Sequence, residues 1–536
     1  MSDTSAIKEL AVKEKRVWVR LTRLCNNGCM FCLDSDSQDG TMVPRDQVEQ
    51  QIIKGREEGG QRLILSGGEA SLHPDFVHFL KLGKQVGYDW LQTITNGRMF
   101  SYGKFARSAL EAGLNEATFS MHGHTAELHD KLVGVDGAFM QSLKGMKNLA
   151  GQCVVNVDVV LNKLNIPHLK EILEFWIALG IHEFDLLHMV PFGRAWNVHR
   201  DELFYDPAEM LPHLSRGFKL RQTHKIYMWT NRLPAHYLEG NEDLIQDPHK
   251  IHDEVRGRID MLRKWRDAGS KPTCMDDRCP YCAMDHFCTV LGETLASLAH
   301  KKFEQIRVGS SQLSLFRSLV EDGRLDQKVD VDLVVESADH LGEWGAQLAE
   351  MTGLLRLEAE TLTALQSAVE WPRVATVTLH HLFPDQKEQL GALLGRNVGI
   401  RTRASSESAA SIAGLGPEIS KRLTYYLPTH EYLSQAKEQD PEVDQLKQFW
   451  SCAGSALEGV PPCLSGAGTG SGGAVDLTLL DDDGVLDLVR FTDWFIARKY
   501  FVKSLRCTNC RHYDDCRGLH INHARNYGFE VLQPIK

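Results

Sequence analysis

Between Val17 and Gly193 short apolar segments alternate with longer amphipathic ones, and this alternation constrains the fold more than any other feature of the sequence. The segments between the apolar ones have apolar residues at intervals of three and four, which predicts helices. Regular alternation of strand and helix predicts parallel strands buried on both faces. We therefore expect an α/β fold of six strand and helix units, closed or partly closed as a barrel. The six predicted strands are VWVRLT, RLILSGG, LQTITNG, EATFSMHG, VVNVDVVLN and FDLLHMVPFG.

The 536-residue chain is too long for one ordinary core, and its patterns divide it into several regions. Beyond Cys288, weaker alternation resumes, and four segments again predict strands: VDVDLVVES, VATVTLHH, NVGIRTRA and RLTYYLPT. The glycine-rich segment 466–473 is typical of a flexible linker. The predicted regions are a partial barrel at 1–195, a helical extension with a cysteine group at 196–290, a second α/β region at 291–450 and a cysteine-rich C-terminal region at 451–536.

Charge and hydropathy limit the classes of partner. Lys and Arg total 60 against 71 Asp and Glu, a formal net charge of -11, which disfavours nucleic acid as a partner. The sequence contains no apolar run near the roughly 18 residues that cross a bilayer, so we expect no membrane contact. Residues 1–15 are polar and charged, unlike a secretion signal, which predicts a cytoplasmic protein with reduced thiols.

The cysteines are grouped: 11 of the 13 fall into three groups, and Cys153 and Cys452 stand apart. In a long cytoplasmic chain such grouping indicates metal binding. The first group, Cys25, Cys29 and Cys32, directly follows the first predicted strand. Three thiolates on one loop can hold three irons of a cubane cluster and leave the fourth iron open. The spacing alone also allows a zinc site with a distant fourth ligand.

The segment CNNGCMFC, with Phe31 before its third cysteine, resembles the signature of the radical-SAM superfamily. SGGEA, which follows the second strand, resembles that family's glycine-glycine-glutamate motif, and glycines permit close backbone approach to a ligand. The resemblance implies that Glu69 accepts a charge-assisted hydrogen bond from the methionine ammonium of S-adenosylmethionine (SAM). Strand-end polar residues can also be purely structural. The cofactor-binding residues that the resemblance implies are Phe31, Ser66, Gly67, Gly68, Glu69, Thr95, Asn96, Ser120 and Asn162.

The resemblance also implies a reaction. A [4Fe-4S] cluster on the first cysteine group would receive an electron from a donor such as flavodoxin or ferredoxin. It would then cleave SAM to methionine and a 5'-deoxyadenosyl radical that abstracts hydrogen from a substrate. No side chain need act as a general acid or base in that step. His122 and His188 stand near strand ends, where they could contact substrate or have a structural partner.

Two further cysteine groups remain. Four thiolates at 274–288 can saturate zinc or an iron–sulfur cluster, and their position resembles the family's auxiliary-cluster extensions. The cysteine spacing of the last group resembles part of the pattern of a SPASM-type domain. Where that pattern has a fourth cysteine, this sequence has His520. Cys463 is the preferred fourth ligand, with His520 or an open site as alternatives, and Cys452 is a free thiol or a further alternative. The predicted auxiliary ligands are Cys274, Cys279, Cys282, Cys288, Cys463, Cys507, Cys510 and Cys516.

The second and third cysteine groups contain segments with a common spacing pattern. RCPYCAMDHFC and RCTNCRHYDDC have the same arginine and cysteine spacing. This predicts that residues 290–536 are a degenerate relative of the first half, unable to cleave SAM because VDVDLVVESADHLGEW contains no cysteine. The alternative is an unrelated extension with a convergent metal-binding tail.

The expected function is radical-SAM modification of a ribosomally made peptide, with biosynthesis of a small secondary metabolite as the alternative. Only residues 1–16 precede the first strand, too few for a leader-peptide-binding domain, which favours the alternative. Charge disfavours tRNA modification. A non-catalytic metal-binding scaffold is the remaining hypothesis, and SGGEA argues against it.

Overall fold

A computed structural model describes residues 14–300, 302–405, 414–446, 457–465 and 474–536. These residues form two compact units. The first comprises the described residues up to Asp247 together with Cys274–Ala283, and the second comprises Pro248–Thr273 and the described residues from Met284 onward. Cys452 and the predicted linker 466–473 lie outside the described residues.

The first unit is built on a sheet of seven parallel strands in chain order. The α/β prediction is confirmed, with one strand more than the six predicted. The additional strand is short and follows a stretch of charged and aromatic residues, where the sequence shows no clear alternation. The strands are β1 (Arg16–Thr22), β2 (Arg62–Gly67), β3 (Trp90–Thr95), β4 (Glu116–Ser120), β5 (Val154–Leu161), β6 (Glu183–His188) and β7 (Tyr227–Asn231).

Helices connect these strands, as each parallel crossover requires. Buried residues such as Phe79 and Trp176 come from these helices, and Val157 and Phe184 come from the strands. Among the described residues, no helix has the length and hydropathy that a membrane span needs. The helices of the first unit are Arg45–Glu57, Phe76–Gln85, Gly103–Glu111, Ala126–Val133, Ala138–Leu149, Leu169–Ala178, Gly193–Asn197, Arg200–Leu203, Pro207–Phe218 and Leu220–Thr223.

Polar residues occupy the amino-terminal part of this sheet. Glu116 on β4 accepts hydrogen bonds from Arg62 Nη1 at 2.6 Å and from Trp90 Nε1 at 2.7 Å. Asn156 Nδ2 donates to the other carboxylate oxygen at 2.7 Å. These bonds tie β2, β3, β4 and β5 together away from their carboxyl ends. The carboxyl ends are thereby left for the loops that carry the predicted site.

The second unit contains another sheet of seven strands, six of which run parallel in chain order, with the seventh added beside the first. Sequential parallel strands across Asp330–Thr429 are what the duplication hypothesis predicts. The sequence did not reveal three of them, and VDVDLVVES forms the second strand rather than the first. The strands are β8 (Gln305–Gly309), β9 (Asp330–Val334), β10 (Leu355–Ala359), β11 (Val374–Leu379), β12 (Gly399–Arg403), β13 (Leu423–Tyr426) and β14 (Val475–Asp476).

Under the duplication hypothesis the turn that follows β8, Ser310–Gln312, would correspond to the cluster loop, and it includes no cysteine. A π-helical turn, Phe495–Lys499, and an antiparallel pair, β15 (Phe501–Val502) with β16 (Leu519–His520), precede and flank the last cysteine group. The helices of the second unit are Ile251–Gly257, Ile259–Ala268, Asp285–Leu298, Leu313–Glu321, Leu341–Ala349, Leu362–Leu365, Lys387–Gly395, Pro417–Ser420, Leu433–Gln439, Pro462–Ser465, Leu488–Trp494 and Ile521–Tyr527.

Candidate active site

A cavity of about 290 Å³ opens at the carboxyl ends of the strands of the first sheet. This is the end of a parallel barrel at which loops gather functional residues. Eleven of the residues that the sequence assigns to cluster or cofactor lie on its wall, although they come from four different strand ends. They are Cys25, Cys29, Phe31, Cys32, Ser66, Gly67, Gly68, Glu69, Thr95, Asn96 and Ser120.

The three thiols of the cluster loop face one another. Burial, together with the charges of Glu69 and Cys32, raises the pKa of Cys25 to about 11. Burial also raises the pKa of Cys29, with contributions from both other thiols. A metal must therefore displace their protons when it binds. Three half-buried sulfurs that open to one cavity fit a cubane cluster with one iron left for a further ligand.

Backbone contacts fix the shape of this loop. The amide of Gly28 donates to the carbonyl of Val133 at 2.8 Å, and the amide of Met30 donates to that of Leu132 at 2.9 Å. Arg194 holds the other side, where its Nη1 donates to the carbonyl of Cys29 at 3.1 Å. The loop is thus positioned by the ends of helices Ala126–Val133 and Gly193–Asn197.

Gly67 and Gly68 pack against the cluster loop. A Cβ on Gly67, whose φ is +145°, would lie 2.4 Å from the carbonyl oxygen of Thr22, and one on Gly68 would lie 2.3 Å from that of Leu24. The amide of Gly68 donates to Thr22 O and that of Glu69 to Leu24 O, each at 2.8 Å. The close approach that these glycines permit is therefore to the chain's own backbone as well as to the cavity. This local reason is independent of any ligand.

Glu69 is buried, with 1% of its surface exposed. Its Oε1 accepts hydrogen bonds from Ser71 N at 3.1 Å and Thr95 Oγ1 at 2.8 Å, and its Oε2 accepts from Asn96 N at 2.7 Å. Burial raises the pKa of Glu69, while these bonds oppose the rise. Because a carboxylate oxygen accepts about two hydrogen bonds, Oε2 keeps capacity for one more donor. Glu69 therefore orders two strand ends and can still accept from a bound ammonium.

Asn162 is not brought to the cavity. It is fully buried, its Oδ1 accepts from the amide of Leu164 at 3.0 Å, and its Nδ2 donates to the carbonyl of Val160 at 3.0 Å. Its side chain caps the turn after β5. Ser120, at the end of β4, does lie on the cavity wall.

His122 and His188 both line the cavity. The amide of Val160 donates to Nδ1 of His122 at 3.1 Å, so the proton of the neutral ring is on Nε2. The edge of this ring meets Phe31 at 4.4 Å between centroids. His188 Nδ1 lies 2.9 Å from the hydroxyl of Tyr205, and burial lowers the pKa of His188 to about 4. Both rings are therefore neutral hydrogen-bonding groups at pH 7.

Arg232 is a cavity residue that the sequence did not reveal. It follows β7, the strand that was not predicted, and its φ of +64° is uncommon for a residue with a side chain. Its amide donates to Oε1 of Gln246 at 2.6 Å, which holds this turn. Arg232 adds positive charge beside His188, since it helps to lower the pKa of that ring. The alternation in YMWTN, directly before it, is the signal that could have identified it.

The first auxiliary group is divided between the compact units: Cys288 belongs to helix Asp285–Leu298 of the second unit, and the other three cysteines belong to the first. Tyr281, between Cys279 and Cys282, packs on Trp196 and Phe204 at 5.8 and 5.1 Å between ring centroids. The same apolar cluster contains Met30 of the cluster loop. The segment with these cysteines thus shares a core with the cluster loop.

The last group gathers four thiols within the second unit. Burial raises the pKa of Cys463 and of Cys507. The charges of Cys510 and Cys516 raise both further, and Cys463 also acts on Cys507. His520 is fully buried, and its Nε2 lies 2.9 Å from the carbonyl oxygen of Ile496. The geometry therefore favours Cys463 over His520 as the fourth ligand.

Comparisons with known proteins agree with this site. A family model described as the radical SAM superfamily matches residues 19–175. A probable GTP 3',8-cyclase of Sulfurisphaera tokodaii is 30% identical over 227 residues, 41% of this chain and 69% of that protein. An AdoMet-dependent heme synthase of Oleidesulfovibrio alaskensis is 25% identical over 221 residues, 40% of this chain and 56% of that protein.

Solved structures give weaker likenesses. SuiB of Streptococcus suis, bound to S-adenosylmethionine, is 14% identical with a TM-score of 0.36, over 44% of this chain and 55% of that one. The structure described as native anSMEcpe with bound AdoMet and a peptide is 14% identical with a TM-score of 0.34, over 48% of this chain and 68% of that one. The matched regions thus cover between 55% and 69% of each of these proteins and less than half of this chain.

Proposed function

Because the chain belongs to the radical SAM superfamily, we propose that it cleaves SAM at a [4Fe-4S] cluster on Cys25, Cys29 and Cys32 and abstracts hydrogen from a substrate in the same cavity. The observation that carries this proposal is the opening of three facing thiols into one cavity with the SGGEA segment. The bound cluster and SAM would supply the reductive cleavage to methionine and a 5'-deoxyadenosyl radical.

The chain's own residues bind, orient and exclude water in this proposal. Glu69 has an acceptor position left for an ammonium group, and Ser120 offers a hydroxyl at the cavity wall. His122 presents a neutral Nε2–H, and Leu187 and Met189 supply apolar wall on the side of β6. Such a wall protects a reactive intermediate from solvent.

For the substrate we propose a peptide, since the cysteines at 507–516 resemble a SPASM-type group. A small molecule is the second candidate, favoured by Arg232 and His188, which offer a cation and a neutral hydrogen-bonding group to a polar ligand. The names of the two sequence relatives, a GTP 3',8-cyclase and a heme synthase, also favour it.

The experiment is anaerobic incubation of the purified protein with SAM and a reductant, followed by chromatography for 5'-deoxyadenosine and methionine. Formation of both supports the proposal, whereas intact SAM with a fully loaded cluster contradicts it. Addition of a peptide encoded beside the gene, or of GTP, then separates the substrate classes by which one accelerates 5'-deoxyadenosine formation.

We further propose a reduced flavodoxin or ferredoxin as the electron donor and two auxiliary iron–sulfur clusters. A cytoplasmic location would keep the thiols reduced. Twelve cysteines of the described residues form no disulfide, as such sites require.

Glu69→Gln is expected to weaken SAM binding by about tenfold to a hundredfold, because hydrogen bonds to charged groups contribute about 1.5 to 3 kcal/mol. The amide would also replace one acceptor that Ser71, Thr95 and Asn96 use. Equilibrium dialysis with the iron-loaded protein measures the dissociation constant. Glu111→Gln, at an exposed helix end, is the control. An unchanged constant in Glu69→Gln, with normal iron content, would contradict the assigned role.

Cys463→Ala is expected to reduce iron at the C-terminal site, up to about four atoms per chain if the whole cluster is lost. His520→Asn should keep that iron, because the His520 ring is already bonded to the Ile496 carbonyl. Iron and sulfide analysis of the two variants compares the ligands directly. Full iron in Cys463→Ala together with loss in His520→Asn would reverse the assignment.

A further inference from the structure

One face of the second sheet carries charged and polar side chains where a parallel barrel normally has packed branched ones. Register places these residues side by side: Arg307 pairs with Asp332, Thr378 with Arg401, and Arg403 with Tyr426. The apolar residues between them alternate to the opposite face. We call this the polar face of the second sheet. It consists of Arg307, Asp332, Arg356, Glu358, Thr378, Arg401, Arg403, Tyr426 and Asp476.

Most charges on the polar face are paired. Arg307 makes a bidentate pair with Glu358, at 2.7 and 3.0 Å. Hydrogen bonds with His380 and Arg307 hold the pKa of that carboxyl well below its usual range despite burial. Arg356 pairs with Asp332 at 3.0 Å. Arg401 Nε donates to Glu458 at 3.0 Å. These pairs account for three of the four arginines on the strands.

Two guanidinium groups at the polar face lack a carboxylate at ion-pair distance among the described residues. Arg403 Nη1 donates to the amide oxygen of Gln439 at 3.2 Å, and its Nε is buried without a partner. Arg498 makes no ion pair or hydrogen bond within that part of the chain. It belongs to the π-helical turn Phe495–Lys499, a rare conformation that is frequent at functional sites.

Arg498 lies in a recess. Its side chain is exposed to solvent, yet surrounding protein and the charge of Arg307 lower the pKa of this guanidinium, while the charges of Glu358 and Asp476 oppose the fall. Tyr426 lies near both Arg403 and Arg498. It forms a hydrogen bond with Arg403 and interacts electrostatically with Arg498. Two cations and a phenol therefore meet at one recess of the polar face.

Cations that have no carboxylate at ion-pair distance are costly to gather, and a bound anion offsets that cost. Guanidinium groups match phosphate and carboxylate oxygens through parallel hydrogen bonds. We propose that the polar face of the second sheet binds an anionic ligand through a phosphate or carboxylate group, held by Arg403, Arg498 and Tyr426. This proposed site shares no residue with the SAM cavity and contains no cysteine.

Isothermal titration of the iron-loaded full chain with sodium pyrophosphate, and separately with citrate, tests the proposal without SAM or reductant. Saturable binding of at least one anion is expected, weakened about tenfold or more in both Arg498→Met and Arg403→Met. Arg317→Met is the matched control, since it removes an exposed arginine of the same unit that pairs with Glu343. This variant should bind as the wild type does.

Binding of pyrophosphate alone supports a phosphate ligand, and binding of citrate alone supports a carboxylate ligand. Two independent arginine variants keep the test valid if one of them does not fold, as judged by circular dichroism and iron content. The proposal is overturned if neither anion binds saturably, or if Arg317→Met weakens binding as much as the recess variants do.

Discussion

Replacing Cys25, Cys29 and Cys32 together with Ala is expected to remove about four iron atoms per chain and all reductive cleavage of SAM. The three thiols are the cluster's protein ligands in the proposed site. Among the described residues, no other thiol lines the cavity. Iron analysis and chromatography for 5'-deoxyadenosine measure the two losses. The auxiliary cysteines should retain their iron, because none of them belongs to the cluster loop.

Cys153→Ala is the control for this variant, since Cys153 lies outside all three cysteine groups and its thiol faces the carbonyl of Leu149. It should keep full iron and full cleavage. Loss of iron at every site in the triple variant would indicate a folding defect instead. Cleavage that persists in a correctly folded triple variant would disprove the cluster assignment.

Gly68→Ala is expected to reduce SAM cleavage by about tenfold to a hundredfold. The new Cβ would lie 2.3 Å from the carbonyl oxygen and 2.7 Å from the carbonyl carbon of Leu24, so the cluster loop must shift. Overpacking of this kind costs about 1 to 3 kcal/mol, and a displaced loop also misplaces the thiol of Cys25. Rate measurements and iron content at equal protein concentration quantify the effect.

The control is Gly103→Ala, at the start of helix Gly103–Glu111, where a Cβ would meet only the end of the Arg107 side chain at 4.0 Å. Alanine also favours a helix over glycine. Wild-type cleavage in this variant and a defect in Gly68→Ala would support the packing argument. Equal activity in both variants would contradict it.

The first sheet could be predicted because its strands are long apolar runs separated by amphipathic helices. β7 could not, since its five residues follow an irregular stretch. β8 and β10 were missed for a different reason. Arg307, Arg356 and Glu358 occupy alternate positions in these short strands and resemble loop composition. Arg356 finds its partner Asp332 on the neighbouring β9, and Arg307 pairs with Glu358 across β9. Such pairing depends on register, which local sequence does not encode.

The residues of the candidate active site also divide into those that the sequence could predict and those that it could not. The residues on predicted strand ends could be expected to converge, and Gly67, Thr95 and Ser120 do line one cavity. Arg232 was missed with the strand that precedes it. Asn162 occupies a predicted strand end but turns into its own loop, where it meets backbone groups that the motif does not specify.

Gly193 and Arg194 contact the cluster loop, and these contacts limit how early during protein synthesis the loop can form. Arg194 is 165 residues from Cys29 in sequence, and Gly193 sits so close that a Cβ would lie 2.3 Å from the carbonyl oxygen of Cys32. A ribosome has therefore made all of β1 to β6 before the loop can take its final shape. Since domains fold as units during synthesis, we expect iron insertion at this loop to follow the folding of the first sheet, and we expect a nascent chain truncated before Gly193 not to take up this iron.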